Sequence, residues 1–154
     1  MGAYANSVLA SDEQVVYETK LHTIMFVEPI VALLFLMLFF IGSLLSGDLG
    51  ASLFFLVLAV LPLVLATLAY VGSEFVVTNK RLITKTGVIS RSSSDMNFNK
   101  IEGLSVDQGI VGRMIDFGTV GVRGTGGFVQ RFSRIDKPFQ LKRALDEAME
   151  AMKK

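Results

Sequence analysis

Residues 24 to 45 read IMFVEPIVALLFLMLFFIGSLL and residues 51 to 71 read ASLFFLVLAVLPLVLATLAYV. These runs of 22 and 21 residues decide how the rest of the chain must be arranged. At about 1.5 Å of rise per residue, either run as a helix crosses a hydrocarbon core about 30 Å thick. The break between them, Ser46-Gly47-Asp48-Leu49-Gly50, supplies turn conformations and a polar tip, which predicts an antiparallel helical hairpin. Lys20 and His22 precede the first run, Lys80 and Arg81 follow the second, and the tip carries no Lys or Arg. The bias of basic residues therefore predicts that both termini lie in the cytoplasm. A hairpin buried in a soluble protein would need more covering chain than 154 residues supply.

Composition agrees with a membrane protein, being 51% hydrophobic and only 19% charged. The net charge of +1 hides an asymmetry: residues 73 to 154 carry 14 basic and nine acidic side chains. A mildly basic body beside an anionic leaflet favours membrane lipids as partners, at about 1 kcal/mol per basic residue near the surface. No nucleic-acid motif is present, so no nucleic-acid partner is expected. Without cysteine the chain has neither a disulfide framework nor a thiolate metal site, and its single histidine does not make a metal site. No cofactor is expected. The first apolar run starts late, follows Asp12, Glu13 and Glu18, and is longer than a signal-peptide core, so it should be retained.

Three segments follow: residues 1–22, the hairpin at 23–72, and a body at 73–154. Within the first, residues 14–21 (QVVYETKL) alternate, with Val15, Tyr17, Thr19 and Leu21 on one side. A lone strand is unstable, so it should join a sheet built after the hairpin. In the first run, Glu28 lies near the start, where a carboxylate can stay at headgroup depth and meet a helix N-terminus beginning at Pro29. Pro62 should bend the second helix. Beyond the hairpin, short strand-like stretches (Ser73 to Thr78, Arg81 to Thr86, Val88 to Asp95, Met96 to Phe98, Ile101 to Gln108, Gly118 to Gly124, Phe128 to Ile135) predict about seven strands. Ile110 to Phe117 breaks the alternation as one helical turn. Asp136 as N-cap with Pro138 in the first turn starts a helix, whose Leu141, Leu145, Ala148, Met149 and Met152 form one apolar stripe. The expected body is a small β-barrel or curved sandwich covered by a C-terminal amphipathic helix.

EFVVTNKRLITKTGVISR (Glu74 to Arg91), NKIEGLSVDQGIVGRMIDFGTVGVRGTGG (Asn99 to Gly127) and the Ile135-Asp136-Lys137-Pro138 helix start fall in one order. With the upstream DEQVVYETKLH, they resemble the bacterial pleckstrin-homology-like membrane domain family. The resemblance implies a pleckstrin-homology (PH)-like fold on the cytoplasmic face of the bacterial inner membrane. It implies a binding or scaffolding role, with a protein partner or a homo-oligomer. Eukaryotic PH domains bind phosphoinositides through the loop between their first two strands, and Asn79 to Arg81 resembles that turn. Thr23 stands where the family often has Trp, which removes an interfacial aromatic anchor.

Lys80, Arg81, Lys85 and Arg91, extended by Arg123, form a candidate headgroup or anion patch, and a sensor of anionic headgroups is the alternative function. A solvated basic face that only sets topology explains them equally well. Gly118, Gly121, Gly124, Gly126 and Gly127 fit neither phosphate-binding fingerprint, and tight turns with close strand packing account for them better. His22 is a pH-sensor candidate by residue type alone, but an ordinary interfacial histidine is the simpler reading. No catalytic Ser/His/Asp set, carboxylate pair or HExxH pattern occurs, so no enzymatic activity is expected.

Overall fold

The computed structural model describes residues 8–10, 12–87 and 92–152. It divides into two compact units: residues 23–71 form one, and the residues up to His22 join those from Gly72 onward in the other.

The first unit is a helical hairpin. Helix α1 spans Val27–Leu45 after a 3-10 turn at Thr23–Phe26, and α2 spans Leu49–Val71. Both segments, Thr23–Leu45 and Leu49–Val71, are long and apolar enough to cross a membrane. At the tip, Asp48 Oδ1 accepts the Ala51 amide at 3.0 Å and so caps the start of α2. Ser43 and Ser52 hydrogen-bond to each other across the helices at 3.1 Å. Most of their remaining surface is apolar, Leu34, Leu38 and Phe54 among the side chains exposed.

Among the described residues, the second unit contains two antiparallel sheets and two α-helices. Strands β1 (Val15–Thr19), β2 (Glu74–Thr78), β3 (Arg81–Thr86) and β4 (Ser92–Asn97) lie in that order in one sheet. Strands β5 (Ile101–Asp107), β6 (Phe117–Gly124) and β7 (Val129–Asp136) form the other. Short helix α3 (Ile110–Ile115) joins β5 to β6, and α4 (Pro138–Met152) follows β7. One core fills the space between the sheets. Phe75 and Phe132 meet edge to face there with centroids 5.0 Å apart, and Leu141, Leu145 and Ala148 of α4 close over it.

Several expectations change. The two sheets do not close into a barrel; they are stitched at one corner, where Leu21 bridges Ile135 and His22 donates to the Arg134 carbonyl at 2.7 Å. Among the described residues six strands follow the hairpin rather than seven, because Met96 continues β4 and Phe98 enters a 3-10 turn, Phe98–Lys100. The strand expected over Val88 to Asp95 lies partly outside the described residues. In β1 a bulge between Val15 and Tyr17 breaks the simple alternation. Tyr17 and Leu21 pack on the main core, whereas Val15 packs with Val76 and Ile83 on the other face. Asp136 is not the helix cap: it ends β7, opposite Phe117, and α4 starts at Pro138. The Lys137 carbonyl accepts the first amides of that helix, from Gln140 and Leu141.

Thr19 pairs with Phe75 and Tyr17 with Val77, so β1 and β2 are adjacent antiparallel strands. The connection between them is residues 20–73, and it contains the whole apolar hairpin. An insertion of about fifty residues is tolerated there because loop-closure entropy grows only slowly with length, and both ends of the hairpin return to neighbouring strand termini.

Candidate functional site

The β2–β3 turn shows how the basic residues are used. Arg81 meets Glu13 through two parallel contacts, Nε to Oε1 and Nη2 to Oε2, each 2.9 Å. Such a fork-to-fork pair fixes orientation as well as charge. Its Nη1 reaches Asp95 Oδ2, also at 2.9 Å, and Nη2 donates to the Val8 carbonyl at 3.1 Å. Glu13 is buried and also accepts from the Thr78 hydroxyl at 2.8 Å. Burial alone would push its carboxyl up. Hydrogen bonds from Arg81, Thr78 and the Ala10 amide, with the Arg81 charge, instead pull it down from 4.5 to about 2.

Lys80 pairs with Asp12. Its hydrogen bond and charge hold the Asp12 carboxyl below the usual range. Asn79 ties the same segment through its backbone and side chain: Gln14 N–H donates to Asn79 Oδ1 at 3.1 Å, and Asn79 N–H to the Gln14 carbonyl at 3.0 Å. Turn and N-terminal segment thus form a clasp.

Of the five candidate patch residues, the four among the described residues are not brought together in one place. Lys80 and Arg81 lie at the end of β2 away from Glu74, about 17 Å along a five-residue strand from where the chain returns from the hairpin. Lys85 stands opposite Glu74 at the other end of the pairing. Arg123 is exposed on the second sheet, opposite Val129 and next to the β6–β7 turn. Arg91 lies outside the described residues. The Asn79–Arg81 turn joins β2 to β3, so it is not the loop between the first two strands; the hairpin occupies that place. Asp12, Glu13 and Asp95, which engage Lys80 and Arg81, were not foreseen as partners. The two N-terminal acids lie 68 residues from theirs, a separation that no local pattern spans.

The glycines are explained by packing and turns. A side chain at Gly118 would approach the Asp107 carbonyl oxygen to 2.8 Å, and Gly126 and Gly127 hold left-handed conformations in the β6–β7 turn. His22 stacks on Phe117 with centroids 5.4 Å apart. Among the described residues no group of His, Asp and Glu is arranged to hold a metal ion.

A family model described as "Bacterial PH domain" matches residues 25–149, a stretch that takes in both apolar helices and β2 to β7. A crystal structure of a DUF1696 family protein with a pleckstrin-homology domain, from Shewanella loihica, is similar to this chain. It has 10% identity and a TM-score of 0.48, covering 95% of this chain and 90% of that one. No curated protein matches the chain.

Proposed function

The chain belongs to the bacterial PH domain family, whose PH-like fold supports a binding or scaffolding role in general, and from that membership we propose a membrane-anchored, non-catalytic scaffold. The hairpin holds the β-rich unit at the cytoplasmic face of the bacterial inner membrane, with both termini inside the cell. The unit recruits a protein partner or a second copy of the chain through a sheet edge or α4. The observation that carries this reading is the place of the hairpin. Two helices of membrane-spanning length emerge between adjacent strands β1 and β2, so the unit is tied to its anchor by two covalent connections rather than one flexible linker.

Sensing of anionic headgroups through the basic patch has less support. Lys80 and Arg81 are already engaged by Asp12, Glu13 and Asp95, and the described patch residues are spread over both sheets.

The natural chain has no cysteine, so single-cysteine variants report cleanly. Val16 is half exposed on edge strand β1. In native membranes, a Val16→Cys chain treated with a bifunctional thiol-to-amine crosslinker should yield a discrete higher-mass adduct and should resist alkaline carbonate extraction. Release by carbonate would remove the anchor. A chain that stays in the membrane but runs as a bare monomer, with nothing co-purifying in mild detergent, would remove the scaffold.

A further inference from the structure

Helix α3 turns its apolar side outward. Ile110 and Met114, four residues apart and hence on one face, are 83% and 80% exposed, and Val111 beside them is 57% exposed. The opposite side is held against the sheet: Gly112 is buried, and a methyl group there would collide with the Phe117 carbonyl oxygen. Gln108 Nε2 donates to that same oxygen at 3.1 Å, tying the two ends of the loop together. Asp116, in a left-handed conformation, then turns the chain into β6. The outward direction of Ile110, Val111 and Met114 is therefore set by packing behind them. In water, such a cluster is poorly placed.

The position of α3 indicates its surroundings. Phe117, two residues beyond Ile115, stacks on His22, and His22 immediately precedes the apolar segment Thr23–Leu45. Helix α3 thus ends two residues before a side chain that touches His22, the last residue of the β-rich unit before the apolar segment. Arg113, also exposed, adds a cation on the same short helix. Large apolar side chains flanked by a basic residue are the composition of segments that lie in the headgroup layer, with the cation among anionic headgroups.

We propose that the outward face of α3, formed by Ile110, Val111 and Met114 with Arg113 at its flank, is a second membrane contact that dips into the lipid headgroup layer and fixes the orientation of the β-rich unit. This rests on the membrane-anchored reading. It adds a contact that the hairpin does not supply.

The test uses the full chain reconstituted in vesicles of phosphatidylcholine and phosphatidylglycerol. The environment-sensitive fluorophore NBD is placed at Met114→Cys or, as a second probe of the same face, at Ile110→Cys. Leu38→Cys in α1 reports the hairpin, and Thr125→Cys, at the opposite end of β6, reports a water-facing site. The proposal expects blue-shifted emission at 114 and 110 that is quenched by lipids carrying a shallow nitroxide, with the label at 38 quenched by lipids carrying a deep-chain nitroxide and the label at 125 unshifted and unquenched by either. A water-like, unquenched label at 114 and 110 while 38 is quenched overturns the proposal and leaves the anchor intact. A blue shift without lipid quenching also overturns it, because protein, such as a second copy, then covers the face. If the label at 38 escapes quenching as well, the anchored reading itself fails.

Discussion

Glu13 illustrates how one side chain joins distant parts of the sequence. It is buried, receives two hydrogen bonds from Arg81, and has its carboxyl lowered to about 2. Because the folded value lies below the ordinary 4.5, the stabilisation is present in full above about pH 4.5 and lost as pH falls toward 2. Glu13→Gln should therefore destabilise the protein at pH 7 by about 2–3 kcal/mol, through loss of the charge pair opposite Arg81. Circular-dichroism melts in detergent should show the gap between wild type and variant closing between pH 4.5 and 2; a gap independent of pH would contradict the ion-pair account. Two glycines provide a second contrast at this scale. Gly112→Ala should cost about 1–3 kcal/mol, since the new methyl group meets backbone that cannot rotate away. Gly103→Ala, which meets nothing within 4 Å, should change stability by less than about 1 kcal/mol in either direction. Equal losses in the two melts would show that the close approach at Gly112 is relieved by small shifts.

At the scale of elements, the hairpin tip and β1 make separate demands. Asp48 caps α2 by accepting the Ala51 amide, so Asp48→Ala should lower the stability of the hairpin by about 1 kcal/mol. An unfolding midpoint in detergent that does not move would show that water replaces this cap. Strand β1 has a larger role, because it hydrogen-bonds along β2 and contributes Tyr17 to the core, with Leu21 following just beyond it. A fragment beginning at residue 73 lacks that strand and leaves the β2 edge unpaired. Such a fragment should aggregate, whereas a chain in which a short glycine-rich turn replaces residues 23–71 should be monodisperse and folded by amide-exchange NMR. The pairing of Thr19 with Phe75 puts the ends to be joined within reach of a few residues. A well-folded 73–154 fragment would refute the requirement for β1.

For the whole molecule, one connection of a compact β-rich unit is replaced by an apolar hairpin. With the start and end of the insertion on neighbouring strands, both chain termini belong to the unit that the hairpin would anchor. Reporter fusions at the N-terminus and after Lys154 should both score as cytoplasmic; opposite results at the two ends would exclude a hairpin that crosses twice. If the hairpin spans the bilayer as proposed, a second contact at α3 would select one orientation of the unit instead of merely adding affinity.

The two apolar runs, their polar break, the strand periodicity after Ser73 and the stripe of α4 were all legible in sequence, because span length and side-chain periodicity are local properties. The family resemblance was legible for the same reason, since its motifs follow one another along the chain. Other features depended on residues far apart meeting in space. Whether β1 paired with β2, which acids met Lys80 and Arg81, and whether the basic residues shared one surface were decided by register, and register belongs to the packed sheet. The bulge after Val15 and the loss of Asp136 from the helix cap were likewise tertiary choices, as the corner between the sheets drew Lys20, His22, Arg134 and Asp136 into backbone pairing. The apolar letters of IVGRMI read equally as core or surface. Only the packing of Gly112 against the start of β6 determined that their side chains point away from the core.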